Sequence, residues 1–248
     1  MMIRTVLVLL PIAALLAGCK TQGSGDNYVP KKKAPLASGI LAPGEEAAYF
    51  PLNVGNQWTY TYESKVQQGN RVMTGNPIEV TYKITKVTKE PKGKFAVLEI
   101  YTEDKLSDRQ VWHVDNTGIY QVAMGKNLVK FSSPQPIVKF PIKEGATFSW
   151  NGTGTAGNGT VGQLSVKSTM TGEQPVDAAG STFNGIDVSS TGTIKTNKVQ
   201  AKTVSDVWFV PNVGLVRYQQ SATGKSADGK TTTARVEQLR LKSYSLKH

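Results

Sequence analysis

From Tyr49 onward the apolar residues return at every second position, and that spacing commits the chain to β-structure. Trp58, Tyr60 and Tyr62 alternate with Thr59 and Thr61, and Val80, Tyr82, Ile84 and Val87 sit among threonines and lysines. Successive side chains of a strand point to opposite faces, so such runs make one apolar and one polar face; a helix would need a period near 3.6. Phe95-Ala96-Val97-Leu98-Glu99-Ile100-Tyr101 is a compact β-branched and aromatic run. Residues 110–114 and 118–122 flank Asp115-Asn116-Thr117, whose turn chemistry predicts a hairpin, and residues 128–131 extend that meander. Further strands are expected at 146–150, 162–171, 183–192, 203–210, 214–222 and 232–244.

The pattern predicts one all-β domain over residues 47–248. Its expected form is a single strongly curved antiparallel sheet, an open or half barrel that hides its edges and encloses an apolar interior. A domain of roughly 200 residues can bury enough apolar surface without disulfides. That matters here, because Cys19 is the only cysteine. Ser132-Ser133-Pro134-Gln135-Pro136 reads as a loop, since proline blocks ladder pairing. Residues 151–159 are glycine-dense and read as a mobile loop, and 221–230 as a hairpin loop. Trp58, Trp150 and Trp208 are expected to be buried supports of the sheet.

The N-terminus has a different character. Arg4 precedes an apolar run from Val6 to Leu16, interrupted by Pro11, which ends in Leu16-Ala17-Gly18-Cys19. A charged start, a short apolar core and small residues at a cut site are the layout of a secretory signal. A bilayer span would need about 20 apolar residues. Leu-Ala-Gly-Cys resembles the lipobox of bacterial lipoproteins. The resemblance implies cleavage before Cys19 and acylation of its sulfur, so that residues 1–18 are a lipoprotein signal peptide and the mature chain is lipid-anchored in the cell envelope. Lys20 stands where an Asp would resemble an inner-membrane retention signal, which favours the periplasmic face of an outer membrane if a second membrane exists. Residues 19–46, rich in Gly, Ser, Pro, Lys and Ala, read as a flexible tether spanning on the order of 30 Å. Within it, Lys31, Lys32 and Lys33 suit anionic head groups.

The strongest internal signature is Tyr49-Phe50-Pro51-Leu52-Asn53-Val54-Gly55-Asn56-Gln57-Trp58-Thr59-Tyr60. Pro51 stiffens the entry, a turn forms around Gly55, and Trp58 and Tyr60 share one face of the first strand. Phe140-Pro141-Ile142-Lys143-Glu144-Gly145 followed by Phe148 and Trp150 repeats the idea. Ala179-Gly180-Ser181-Thr182-Phe183 and Asp206-Val207-Trp208-Phe209-Val210-Pro211-Asn212-Val213-Gly214-Leu215-Val216 follow in order. These segments resemble a broad group of uncharacterised bacterial secreted proteins and lipoproteins that open with Phe-Pro-Leu, Gly-Asn and Trp-x-Tyr. More distantly, such domains are similar to the curved-sheet lipoprotein-carrier folds (LolA-like and LppX-like), and that resemblance implies a concave face able to hold acyl chains.

Catalytic chemistry finds little material. The histidines are His113, in a strand, and His248 at the end, and no Gly-x-Ser-x-Gly elbow is present. Two histidines and one cysteine exclude metal sites built on those residues. Glu45-Glu46, Glu103-Asp104 and Asp108 read as turn acids beside Lys or Arg, and a glycosidase would need two of them across a cleft. Gly224-Lys225-Ser226 fails as a phosphate loop because Gln219 stands where the first glycine belongs. Asn151-Gly152-Thr153 and Asn158-Gly159-Thr160 match the glycosylation triplet only as products of glycine-rich turns. The net charge of +11 favours anionic lipid or an acidic envelope polymer as a neighbour, and export removes nucleic acid as one. Lysine on a sheet surface also serves solubility and edge protection.

These readings describe a membrane-anchored, non-enzymatic envelope lipoprotein that binds an apolar or amphiphilic ligand or an envelope partner, with neither cofactor nor metal. The alternative is a carboxylate-dependent hydrolase acting on cell-wall or glycan material. The anchor is directly testable: Cys19→Ala is expected to move the protein to the soluble fraction or stall its processing, and normal processing with unchanged membrane attachment would refute it.

Overall fold

The computed structural model describes residues 45–155, 160–226 and 228–247. The signal segment, Cys19, the tether up to residue 44, residues 156–159 and His248 lie outside the described residues. A 3₁₀ turn (Glu46–Tyr49) precedes thirteen strands: β1 (Gln57–Gln68), β2 (Arg71–Thr74), β3 (Ile78–Glu90), β4 (Gly93–Thr102), β5 (Lys105–Asp115), β6 (Gly118–Met124), β7 (Val129–Lys139), β8 (Thr147–Thr155), β9 (Val161–Ala178), β10 (Ser181–Lys195), β11 (Val199–Val210), β12 (Gly214–Ser226) and β13 (Thr232–Ser245).

All thirteen belong to one antiparallel sheet, in the order β7-β6-β5-β4-β3-β1-β13-β12-β11-β10-β9-β8, with β2 paired to β1 beside this path. Two meanders, β3 to β7 and β8 to β13, are joined by β1, which pairs with β3 on one side and β13 on the other. The two ends of the path then meet. Trp150 Nε1 of β8 donates to Ser133 Oγ of β7 at 2.9 Å, and the Thr153 N–H donates to Ser132 Oγ at 2.9 Å. The Phe131 and Trp150 rings lie 5.7 Å apart across the same seam. The sheet therefore curls past a half barrel into a nearly closed one, which covers edges that would otherwise template aggregation.

The alternating residues fill the interior. Trp58, Tyr60, Tyr82, Ile84, Leu98 and Ile100 are each no more than 2% exposed. One end is closed by the segment before β1. Phe50 sits among Trp58 of β1, Trp112 of β5 and Phe209 of β11, with ring centroids at 5.8, 5.1 and 5.8 Å. Tyr49 and Leu52 are buried beside it. The plug is tied down by polar contacts as well. The Asn212 N–H donates to the Ala48 carbonyl at 2.8 Å, and Trp58 Nε1 donates to the Val213 carbonyl at 2.6 Å. The turn read around Gly55 is present: Gly55 has φ +89°, and Asn56, fully buried, donates from Nδ2 to the Pro51 carbonyl at 2.7 Å. In the β5–β6 hairpin, Asp115 Oδ1 accepts the N–H groups of Thr117 and Gly118 at 2.7 and 3.1 Å, the Asx geometry that its sequence predicts.

Several local expectations are corrected. Ser132–Pro136 is no loop but part of β7. β7 is the last strand of its path, and an edge strand tolerates proline; its register with β6 slips between Ile119 and Tyr120 and again between Gln121 and Ala123. Residues 151–155, read as loop, form the second half of β8. Its glycines are there for space. A Cβ on Gly152 would lie 2.4 Å from Trp150 Cζ2, and one on Gly154 would lie 2.5 Å from Phe131 Cδ1. Residues 221–226 continue β12, so the hairpin loop is shorter than expected. Trp58 and Trp150 are buried as expected, but Trp208 lies half-buried on the outer face, its ring covered by the Arg217 guanidinium 4.8 Å from the centroid.

The two environments should separate on truncation. Phe50→Ala is expected to cost about 3–5 kcal/mol, while Trp208→Ala should cost less than half as much. Denaturant midpoints of the two variants test the assignment, and equal losses would contradict it.

Candidate functional site

The barrel interior is apolar near the plug and polar further along. Starting from β1, inward-facing partners run Ser64, Glu237, Gln220, Ser205, Ser190 and Ser168 across β1, β13, β12, β11, β10 and β9. Gln220, Ser205, Ser168 and Glu237 are all at most 7% exposed, and the Ser168 and Ser190 hydroxyls are 2.8 Å apart. Two residues along β13 on the same face, Arg235 pairs with Glu237 and donates from Nη2 to the Tyr62 hydroxyl at 2.8 Å. On the opposing side of the barrel, Asp108 and Gln110 of β5 also face inward, at 1% and 0% exposure. Gln110 Oε1 accepts from Trp112 Nε1 at 2.8 Å.

Burial sets the ionisation of this layer. It pushes the Asp108 carboxyl up to about 6, because the Arg109 backbone N–H and the positive charge of Lys126 only partly offset the lost hydration. Burial also raises Glu237, against the opposing pull of Arg235. For Arg235, burial alone would lower the guanidinium; Glu237 and the Tyr62 hydroxyl outweigh it and hold the group above its ordinary value. The Tyr60, Tyr82 and Tyr218 hydroxyls are driven well up by burial. Nearby Asp108 adds to the rise at Tyr82, and Glu237 to that at Tyr218.

Two small cavities lie between these groups. A cavity of about 30 Å³ is lined by Gln135, Ser168, Ser190, Thr203, Ser205 and Tyr218, and one of about 20 Å³ by Met124, Phe131, Gln135, Thr155, Leu164 and Thr203, among others. Each has room for a water molecule or two, at about 10–15 Å³ apiece, and not for an acyl chain.

The residues singled out from the sequence are dispersed. His113 is on the outer face of β5, stacked on Phe95 at 4.1 Å and on Tyr120 at 5.8 Å, with Lys139 Nζ 3.0 Å from the Tyr120 hydroxyl. The interior serines are thus on the opposite face of the sheet from this imidazole. Glu103 and Asp104 form the two-residue turn between β4 and β5, with φ +49° and +59°. That turn lies at the far end of the barrel from Glu45, which precedes the plug. Asp108 is corrected from a turn acid to a buried strand residue. Among the described residues no cluster of His, Cys, Asp and Glu could hold a metal ion. Sequence reading missed the interior layer around Arg235 and Glu237; its only signal is the i, i+2 spacing of opposite charges in β13.

No protein-family model matches the chain, and no curated protein does. Solved structures do. A protein from Parabacteroides distasonis described as a lipoprotein matches with a TM-score of 0.50 at 14% identity, over 79% of this chain and 98% of its own. A Bacteroides fragilis protein described as exported and YmcC-like in fold matches at 15% identity with a TM-score of 0.49, over 79% and 98% of the two chains. The lipoprotein YmcC of Escherichia coli matches at 10% identity with a TM-score of 0.32, over 71% and 83%. At these identities the Parabacteroides match shows a shared fold: the chain is a curled, nearly closed antiparallel barrel of that architecture.

The buried Asp108 makes stability depend on pH. A carboxyl whose folded pKa is raised contributes fully below its unfolded pKa near 3.8, and that contribution is lost as pH rises through about 6. Asp108→Asn should therefore be more stable than the parent by about 3 kcal/mol above pH 7, with the gap closing towards pH 4. Melting temperatures of both proteins across this range test it, and a gap that does not change with pH would contradict it.

Proposed function

We propose that the chain is a lipid-anchored, non-enzymatic protein of the bacterial cell envelope whose barrel acts as an interaction module through its outer surface. The observation that carries this reading is the plug that the chain itself places in the end of its interior. The face that a lipoprotein carrier would present to an acyl chain is here occupied by the chain's own Tyr49, Phe50 and Leu52, packed on Trp58, Trp112 and Phe209.

The anchor rests on Leu16-Ala17-Gly18-Cys19, and the description of two fold neighbours as lipoproteins and a third as exported supports an envelope location. Among the described residues no helix is long and apolar enough to cross a membrane. The outward residues of β11 and β12 include Lys202, Asp206, Gln219, Thr223 and Lys225, unlike the apolar band of a membrane barrel. Lipid at Cys19 supplies the membrane contact in this reading, and Lys20 favours the outer membrane. The exposed Lys167, Lys195, Lys198, Lys202, Lys225 and Lys230 on β9 to β12 and their turns suit an anionic partner.

The placement of the serines and acids speaks against catalysis. Among the described residues the interior serines face no imidazole, Glu237 is held by Arg235, and Asp108 is shut inside the barrel instead of lining a cleft. A glycan hydrolase needs two carboxyl groups on either side of a bound sugar ring.

Native mass spectrometry of the full chain extracted from membranes tests the reading. The expected mass is that of the acylated protein alone. A stoichiometric co-purifying lipid beyond the anchor would overturn it in favour of lipid carriage, and turnover of a wall or glycan substrate abolished by a single acidic substitution would overturn it in favour of an enzyme.

A further inference from the structure

On the outer face, Trp208, Arg217 and Arg240 stand in one row across β11, β12 and β13, each the register partner of the next. The Arg217 guanidinium lies over the Trp208 ring, 4.8 Å from its centroid. Arg217 and Arg240 are thus directly opposite like charges, an arrangement that destabilises an antiparallel pair unless something neutralises it. Their own contacts do not. Arg217 Nη2 reaches Gln219 Oε1 at 3.4 Å and Arg240 Nη2 reaches Gln238 Oε1 at 3.2 Å, both neutral acceptors at the long end of the range. Arg217 Nε is buried without a partner.

No neighbouring carboxylate closes an ion pair with either arginine. Asp187, next in the row beyond Trp208, accepts from Thr171 Oγ1 at 2.9 Å through Oδ2 and feels the Arg217 charge, while its buried Oδ1 has no partner, and Asp206 accepts from Ser189 Oγ at 2.5 Å. Beyond Arg240 the row continues through Thr61 to Glu79, which pairs with Lys242. The arginine ion pairs among the described residues join Arg109 to Glu99 and Arg235 to Glu237, and neither includes Arg217 or Arg240.

We propose that Arg217 and Arg240, braced by Trp208, form a binding site for a phosphoryl group. One guanidinium fork satisfies the two oxygens of a carboxylate; two adjacent forks match the charge and the three peripheral oxygens of a phosphate monoester. Stacking on Trp208 holds Arg217 in place, so less freedom is lost on binding. The site is on the outer face and stands apart from the reading of the interior. Its phosphoryl group can come from a free phosphate or from a lipid head group.

The test is calorimetric titration of the full chain in detergent and phosphate-free buffer, with inorganic phosphate, with micelles doped with phosphatidic acid, and with micelles doped with phosphatidylcholine. Saturable binding of phosphate is expected, weakened at least tenfold in Arg240→Gln. That variant removes an exposed side chain and relieves the like-charge contact with Arg217, so it should melt no lower than the parent. Binding should also change tryptophan fluorescence, and Trp208→Phe should abolish the change. Equal affinity for phosphate and phosphatidic acid assigns a free phosphoryl group, and much tighter binding of phosphatidic acid with phosphatidylcholine silent assigns a lipid head group. Absence of saturable binding to phosphate and phosphatidic acid alike, or an affinity unchanged in Arg240→Gln, would overturn the proposal.

Discussion

The Phe50 ring is the contact on which the rest of the barrel depends. It meets Trp58, Trp112 and Phe209, which come from β1, β5 and β11 and so from widely separated places along the sheet. A flat sheet could not bring those three rings to one point. Curling does, and burying large aromatics at the centre repays the curvature with some of the largest packing energies a side chain can supply. The same contact closes one end of the interior and ties the barrel to the segment that leads back towards Cys19.

Beyond the plug the interior changes from aromatic to polar. Glu237 with Arg235 and Tyr62, Asp108 near Tyr82, and the serine row from Ser168 to Ser205 replace hydrocarbon with hydrogen-bonding groups. Buried charge of this kind is weak evidence for stability, since desolvation consumes most of the Coulomb gain. What it does accomplish is to make the lumen a poor solvent for an acyl chain. The outer face is where uncommitted chemistry collects: lysines on β9 to β12, and Arg217 against Trp208 with Arg240 opposite it, neither of them in an ion pair.

How far the sequence could be read varies from strand to strand. Trp58, Tyr60 and Tyr62 announce their face because the aromatic residues outweigh their threonine neighbours. In β13 hydropathy misleads: Val236 is 45% exposed while Glu237 is 5% exposed. The phase of that strand is set two positions on, where Leu239 pairs with Tyr62 and must face inward with it. Pro134 and Pro136 read as loop residues because a proline rejects a ladder partner, yet a strand at the end of the path needs a partner on one side only. Gly152 and Gly154 read as loop residues because glycine weakens strands, yet here they yield room to Trp150 and Phe131. In each case the deciding neighbour is remote in sequence.

The sequence by itself determined the class of the fold, the strand period, the turns at Gly55 and Asp115, and the aromatic entry that becomes the plug. These are local properties: alternation follows from the geometry of a single strand, and an Asx turn needs only a few consecutive residues. Only the tertiary structure decided that the sheet closes at β7 and β8, that Asp108 and Glu237 face inward, and that Arg217 lies beside Arg240. Those outcomes depend on pairing between segments far apart along the chain, such as Trp58 with Val213, 155 residues away. Cross-strand register is settled by the summed packing of the whole interior, and a shift of one residue would turn every side chain of a strand to the other face.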